Sequence, residues 1–262
     1  MRNELVVLLP AYNEEENIEK MVNSWQAEAA LLKERFDLQL QIVVINDGST
    51  DHTKELAEGL SQQFSNVTLV NHEHNKGLGA AVLTGLRYAW QSETCAFACL
   101  MDCDNTQSPE YIGSMLEKMG RGTKELTQDE LDCDVVIASR YRKGSKVQGV
   151  AGYRLLTSKG ARLVYSMLFH VPGVRDYTCG YRLYTQDILN KGCKRFGDAL
   201  VSETGFTCMA EVLYKLYVAG ARFGEVPFVL RYDFKEGASK MKVLKTAKNS
   251  FRLAFSLKKL KK

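Results

Sequence analysis

Two carboxylates bracket a single residue where a hydrophobic run ends: Ala96-Phe97-Ala98-Cys99-Leu100-Met101-Asp102-Cys103-Asp104. Asp102 and Asp104 offer anionic oxygens to a hard divalent cation, Mg²⁺ or Mn²⁺, of the kind that shares its shell with substrate phosphates. Three other apolar runs end in polar residues: residues 10–14, residues 47–49 and Asn75-Lys76-Gly77. Asp47 can accept hydrogen bonds from a base or ribose. Lys76 stands just before Gly77, where an opening helix would turn backbone N–H groups and its positive dipole end toward a phosphate. Together these residues describe a nucleotide-diphosphate site. Neither a Walker A loop nor a Gly-x-Gly-x-x-Gly element accompanies them, which argues against P-loop enzymes, kinases and dinucleotide oxidoreductases.

The elements that must position these groups follow from hydrophobic patterning. Residues 5–9, 41–46, 67–70 and 96–101 are short apolar runs, predicted as strands buried on both faces, with Pro10 ending the first. Helices are predicted over 13–33, 49–64 and 77–90; Glu14, Glu15 and Glu16 suit the positive end of the first, and residues 47–51 are rich in turn and cap residues. Strands alternating with helices predict an α/β fold with a mostly parallel central sheet and helices on both sides. Ligands in such sheets bind beyond the carboxyl ends of the strands, where all four polar sets lie. Further on, strands are predicted at 134–139 and 223–232, helices at 154–169 and 205–219, and a basic amphipathic helix at 243–262. No repeat or linker divides residues 1–240, which read as one domain.

The chain has 262 residues, 45% hydrophobic and 25% charged, with a net charge of +4. This is ordinary globular composition. The charge suits an anionic substrate or membrane surface without pointing to nucleic acid. Seven cysteines, an odd number with no Cys-x-x-Cys pair, are expected as buried thiols of a reduced cytoplasm. No apolar run approaches a membrane span and no signal peptide is expected, so the chain is read as soluble or at most peripheral.

Residues 8–15, Val44-Ile45-Asn46-Asp47-Gly48-Ser49-Thr50-Asp51, Asn75-Lys76-Gly77-Leu78-Gly79 and Met101-Asp102-Cys103-Asp104 resemble the family 2 glycosyltransferases of the GT-A fold. Ser139-Arg140-Tyr141, Arg154 with Ser158, Asp176-Tyr177-Thr178-Cys179-Gly180-Tyr181-Arg182, Glu211, and Val226-Pro227 through Arg231 to Lys240 narrow the resemblance to the dolichyl- and polyprenyl-phosphate sugar synthases. The resemblance implies a three-layer GT-A domain and inverting hexose transfer. Residues 1–104 would form its nucleotide-sugar half and residues 105–240 its acceptor half. Pro10, Tyr12 and Glu14 would lie near base and ribose, Asp47 on the base, and Asp102 and Asp104 on Mg²⁺ or Mn²⁺, with Gln107 as a third ligand. In the related synthases a glutamine often stands two residues after the second aspartate; here Thr106 has that place and Gln107 follows. Lys76, Arg231 and Lys240 would meet the donor diphosphate, and Arg140, Arg154 and Ser158 the acceptor phosphate. The catalytic set is then Asp104, Arg140 and Arg231.

Chemistry bears on the acceptor. Transfer to a sugar hydroxyl needs a general base, and neither the later acidic pair nor the Gln-x-x-Arg-Trp element of hydroxyl-using relatives occurs here. A phosphate is already anionic at neutral pH and needs cations instead. A polyprenyl phosphate is therefore favoured, with a GDP- or UDP-hexose donor. A soluble sugar or natural-product acceptor and a non-catalytic nucleotide-sugar-binding subunit remain as rivals. The basic C-terminal segment suits the cytoplasmic face of an anionic membrane, although its apolar residues would serve a homodimer equally well.

Overall fold

The computed structural model describes residues 2–121, 132–149, 165–166, 170–234, 243–257 and 259–260. Seven strands form the main sheet, in the order β3-β2-β1-β4-β7-β5-β8: β1 Glu4–Ala11, β2 Gln39–Asn46, β3 Val67–Asn71, β4 Cys95–Leu100, β5 Val135–Ser139, β7 Arg182–Thr185 and β8 Phe223–Pro227. β6 Lys146–Gln148 and β9 Val229–Arg231 pair separately. The sequence reading of 223–232 as one strand is thus corrected: the segment divides at the buried Phe228 and changes sheet. The mostly parallel sheet with flanking helices is the architecture expected.

β1 and β2 pair in parallel from Glu4↔Gln39 to Ala11↔Asn46. β1 therefore runs through Pro10 rather than ending at it. Pro10 has no N–H to give, and the ladder with β4 stops earlier, at Leu8↔Leu100. Leu5 to Leu9 and Ile42 to Ile45 are fully buried, as strands covered on both faces require. β7 is the exception to parallel order, running antiparallel to both β4 and β5. Its lead-in, residues 170–181, consequently arrives at the rim where the parallel strands end.

The first helix begins at Ile18 and divides at Glu28, giving α1 Ile18–Ala27 and α2 Ala29–Phe36. Glu14 to Glu16 lie in the turn ahead of it, so their service to its dipole is not realised. The Glu14 carbonyl instead accepts from Asn17 and Ile18, and the Glu15 carboxylate accepts the His52 N–H at 2.9 Å. α3 Thr53–Gln63 starts after Asp51, whose carboxylate accepts the Thr53 N–H at 3.0 Å. α4 Leu78–Gln91, α5 Ile112–Lys118, α6 Gln186–Phe196 and α7 Cys208–Val218 complete the layers, and α8 Val243–Leu257 packs on α7. Six cysteines are buried thiols and Cys193 is half-buried. Among the described residues no helix is long and apolar enough to cross a membrane.

Candidate active site

Four loops meet along the rim, tied together by side chains. The Asn13 N–H donates to Ser49 Oγ at 3.0 Å, its side-chain Oδ1 accepts from the Thr50 N–H at 2.8 Å, and the Glu14 N–H donates to Thr53 Oγ1 at 2.7 Å. Asn13 takes a left-handed conformation, φ +54°, to make this turn. Pro10, Tyr12 and Glu14 are half-buried beside it.

Asp47, at the end of β2, is almost wholly enclosed. Its Oδ1 accepts from His72 Nδ1 at 2.6 Å and from the Lys76 N–H at 3.0 Å, and its Oδ2 accepts from the Gly77 N–H at 2.8 Å. Two successive N–H groups at a helix opening make an anion-binding nest. The protein's own carboxylate fills it. The Gly79 N–H is likewise taken by Thr204 O at 3.2 Å. The expectation that the opening of α4 receives a donor phosphate is therefore corrected at the backbone, while the Lys76 side chain lies exposed at the rim. Gly79 is a matter of space: a Cβ there would stand 1.7 Å from the Glu203 carbonyl oxygen.

The Asp102–Asp104 turn follows β4. The Thr106 N–H and hydroxyl both donate to Asp104 Oδ1, at 3.2 and 2.6 Å, and Asn105 takes φ +55°. Gln107 folds back so that its Nε2 donates to Asp102 Oδ2 at 2.8 Å, while its Oε1 is buried with no hydrogen-bond partner among the described residues. Across from Asp102 lies Gly180, in the lead-in to β7. A Cβ at Gly180 would sit 2.9 and 3.1 Å from the two Asp102 carboxylate oxygens. Two carboxylates and an orphaned amide oxygen, with Asp102 packed on a residue that has no side chain, form a hard-oxygen set that fits Mg²⁺ or Mn²⁺. Among the described residues no group of three or more His, Cys, Asp or Glu could hold a metal.

Arg140, after β5, is locked to Asp176. Its Nε donates to Asp176 Oδ2 at 2.7 Å, and its Nη2 to Asp176 Oδ1 at 2.6 Å and to Thr178 Oγ1 at 2.7 Å. Among the described residues Nη1 has no hydrogen-bond partner. Burial alone would raise the Asp176 carboxyl, but the Arg140 charge and hydrogen bonds from Arg140 and Thr178 outweigh it and hold it below its ordinary value. Burial equally opposes the Arg140 cation, and Asp176 more than compensates, so its pKa rises. Behind this pair the buried Glu225 accepts the Arg175 and Asp176 N–H groups at 2.6 and 2.7 Å. Arg142 Nε lies 2.8 Å from Glu225 Oε2, an ion contact without hydrogen-bond alignment.

Arg231, in β9, donates from its backbone to Thr106 O at 2.8 Å, which brings it beside the Asp104 turn; its side chain pairs with Asp233 at 2.8 Å. Arg154, Ser158 and Lys240 lie outside the described residues. Glu211, which as a lone helical glutamate could equally have faced solvent, is buried. It accepts the Ser202 and Glu203 N–H groups, both at 2.8 Å, and Lys215 Nζ at 2.5 Å. It thereby fixes the loop that covers Gly77 and Gly79. His72 is bonded through both ring nitrogens. Arg182 is the other group that sequence reasoning missed: fully buried, it donates to Met209 O at 2.6 Å and Tyr177 O at 2.9 Å, fastening the lead-in of β7 to α7.

The chain is similar to known proteins in sequence and in fold. Residues 6–192 match the model of glycosyl transferase family 2. The dolichol-phosphate mannosyltransferase of Pyrococcus furiosus is 30% identical over 237 residues, and the polyprenol monophosphomannose synthase of Mycolicibacterium smegmatis is 29% identical over 239 residues. Each alignment takes in 90% of this chain, which spans 58% of the Pyrococcus protein and 80% of the Mycolicibacterium one. In fold, the chain is similar to glucosyl-3-phosphoglycerate synthase from Mycobacterium tuberculosis in complex with Mn²⁺, UDP and phosphoglyceric acid. There the TM-score is 0.67 at 17% identity, over 100% of this chain and 80% of that one. It is also similar to a mannosyltransferase from Pyrobaculum calidifontis in complex with GDP-Man and Mn²⁺, with a TM-score of 0.56 at 17% identity over 98% of this chain and 64% of that one. With the match to the family model extending from β1 into α6, across the strand ends that carry Asp47, Asp102 and Arg140, the chain belongs to glycosyl transferase family 2.

Proposed function

We propose that this chain is a metal-dependent inverting glycosyltransferase that moves a hexose from a GDP- or UDP-sugar to a polyprenyl phosphate. The observation that carries it is the Asp102 cradle: a carboxylate packed so closely on Gly180 that a Cβ there would crowd it, beside the orphaned Gln107 oxygen. Names of the two similar curated proteins support the acceptor and a mannosyl donor; the solved complexes of similar fold support Mn²⁺ with a UDP or GDP-sugar. Asp102, Asp104 and Gln107 would hold the cation. When bound, it would offset diphosphate charge as the nucleotide leaves.

The chain's own residues account for the rest. Arg140, held by Asp176, presents its Nη1 edge to the acceptor phosphate and orients an attacking oxygen. No base is required, because that oxygen carries no proton at neutral pH. Arg154 and Ser158 join it on the acceptor. Arg231, beside the Asp104 turn, and Lys240 and Lys76 bring positive charge to the departing diphosphate. Pro10, Tyr12 and Glu14 line the base and ribose. Residues 1–240 act as one GT-A domain, nucleotide half to residue 104 and acceptor half beyond. α8 exposes Phe251 and Phe255 while burying Leu253 and Leu257; with its basic residues it rests on the cytoplasmic membrane face.

The test is transfer from UDP- and GDP-hexoses to polyprenyl phosphate in detergent. Transfer that stops with EDTA and returns with Mn²⁺ or Mg²⁺ is expected. Transfer to a neutral sugar but not to polyprenyl phosphate, or transfer indifferent to EDTA, would overturn the proposal.

A further inference from the structure

His72 follows β3, and its ring is only 8% exposed. Nδ1 lies 2.6 Å from Asp47 Oδ1 and Nε2 lies 2.9 Å from Thr84 Oγ1. Its backbone N–H donates to Asn46 O at 2.9 Å. One imidazole thus ties the end of β2, the end of β3 and the first half of α4. With the ring neutral, the Asp47 carboxylate fixes the tautomer: Nδ1 carries the hydrogen and Nε2 accepts from the Thr84 hydroxyl.

The arrangement matters because of what Asp47 does. A carboxylate has about four lone-pair directions. The contacts from His72, Lys76 and Gly77 fill three among the described residues, and one on Oδ2 remains for an incoming N–H. The terminal torsion of an aspartate is intrinsically broad, so neighbours must choose its angle. The Lys76–Gly77 turn cannot do so alone, because that turn is itself held by the carboxylate. His72 is anchored on separate elements and supplies the fixed point.

We infer that His72 is a positioning residue for nucleotide-sugar binding. It locks the Asp47 carboxylate so that the remaining acceptor faces the base and the Lys76 side chain stays directed at the donor. This rests on the donor reading given under Proposed function. The role is distinct from catalysis, since His72 itself touches no reacting atom.

Three substitutions separate positioning from packing. In His72→Asn the side-chain amide N–H stands near the place of Nδ1 and keeps the Asp47 bond. In His72→Gln the amide reaches the place of Nε2 and keeps only Thr84. His72→Ala keeps neither. Donor KM and kcat are measured for each, with UDP and GDP binding by calorimetry in Mn²⁺. A lost hydrogen bond to a charged group corresponds to a change of about tenfold to a hundredfold. Donor KM should rise by that factor in the Ala and Gln variants and stay near wild type in Asn, with kcat little changed in all three. If His72→Ala does not fold, the Asn against Gln comparison carries the test. Equal KM in Asn and Gln, or a loss confined to kcat, overturns the role. Wild type that binds neither UDP nor GDP overturns the donor reading; wild type that binds with all variants unaffected overturns only the part assigned to His72.

Discussion

Replacing Gly180 with alanine adds one methyl group at the most sensitive point of the rim. Its φ lies outside the left-handed region, so alanine meets no backbone strain there. The new Cβ would stand 2.9 and 3.1 Å from the Asp102 carboxylate oxygens. Relief requires the carboxylate to retreat by about half an ångström. A short side chain can swing that far at small cost in stability, and the loss of a glycine favours the folded state by about 0.4–1 kcal/mol through the unfolded chain. Metal–ligand distances tolerate only about 0.2 Å, and a misplacement of about 1 Å at a reacting centre costs on the order of a hundredfold. Half that displacement should raise the Mn²⁺ concentration for half-maximal turnover about tenfold, with Tm near wild type. The assay is a Mn²⁺ titration of donor turnover after EDTA stripping, beside a thermal melt. Gly59→Ala, whose Cβ meets nothing within 4 Å, is the control. An unchanged Mn²⁺ requirement in a folded Gly180→Ala protein would refute the claim that this glycine makes room for a metal-holding carboxylate.

Asp176 has a depressed folded-state pKa. Its stabilisation is fully present above the unfolded value, about 3.9, and is lost as pH falls through the folded value. Urea unfolding should show wild type weakening below about pH 4, whereas Asp176→Asn should be flatter there and, with Arg140 buried unpaired, less stable by about 3–5 kcal/mol at pH 7; parallel profiles would refute this. Glu211→Ala leaves Lys215, 8% exposed, without its carboxylate and should cost about 3–5 kcal/mol in the same measurement. A cost under about 1 kcal/mol would instead be that of a solvated surface pair.

The first half of the fold was legible because its strands are continuous apolar runs with polar residues at their ends. Leu5 to Leu9 and Ile42 to Ile45 can only be strands buried on both faces, and parallel order places Asp47 and Asp102 on one rim. The antiparallel β7 was not legible. Its four residues, Arg182–Thr185, carry no hairpin turn before them, and a buried arginine hides the strand's apolar character. Glu211 and Lys215 are spaced as a surface ion pair would be, and only the cover of residues 202–203 shows otherwise. The nest around Asp47 was missed because a helix opening advertises its N–H groups without saying which anion takes them.

The reversed strand also sets an order of events. Asp102 and Gly180 are remote in the chain, and β4 finds β7 only after the whole stretch between them has been looped back. Such long-range pairing forms slowly. A nascent or truncated chain ending before β7 would display both aspartates yet lack the wall on which Asp102 packs. Metal that binds only the finished site stabilises only the finished fold. On the metal-site proposal, cation-dependent protection during refolding would then report the joining of β7 to β4, and serve as a clock for when that part of the rim is complete.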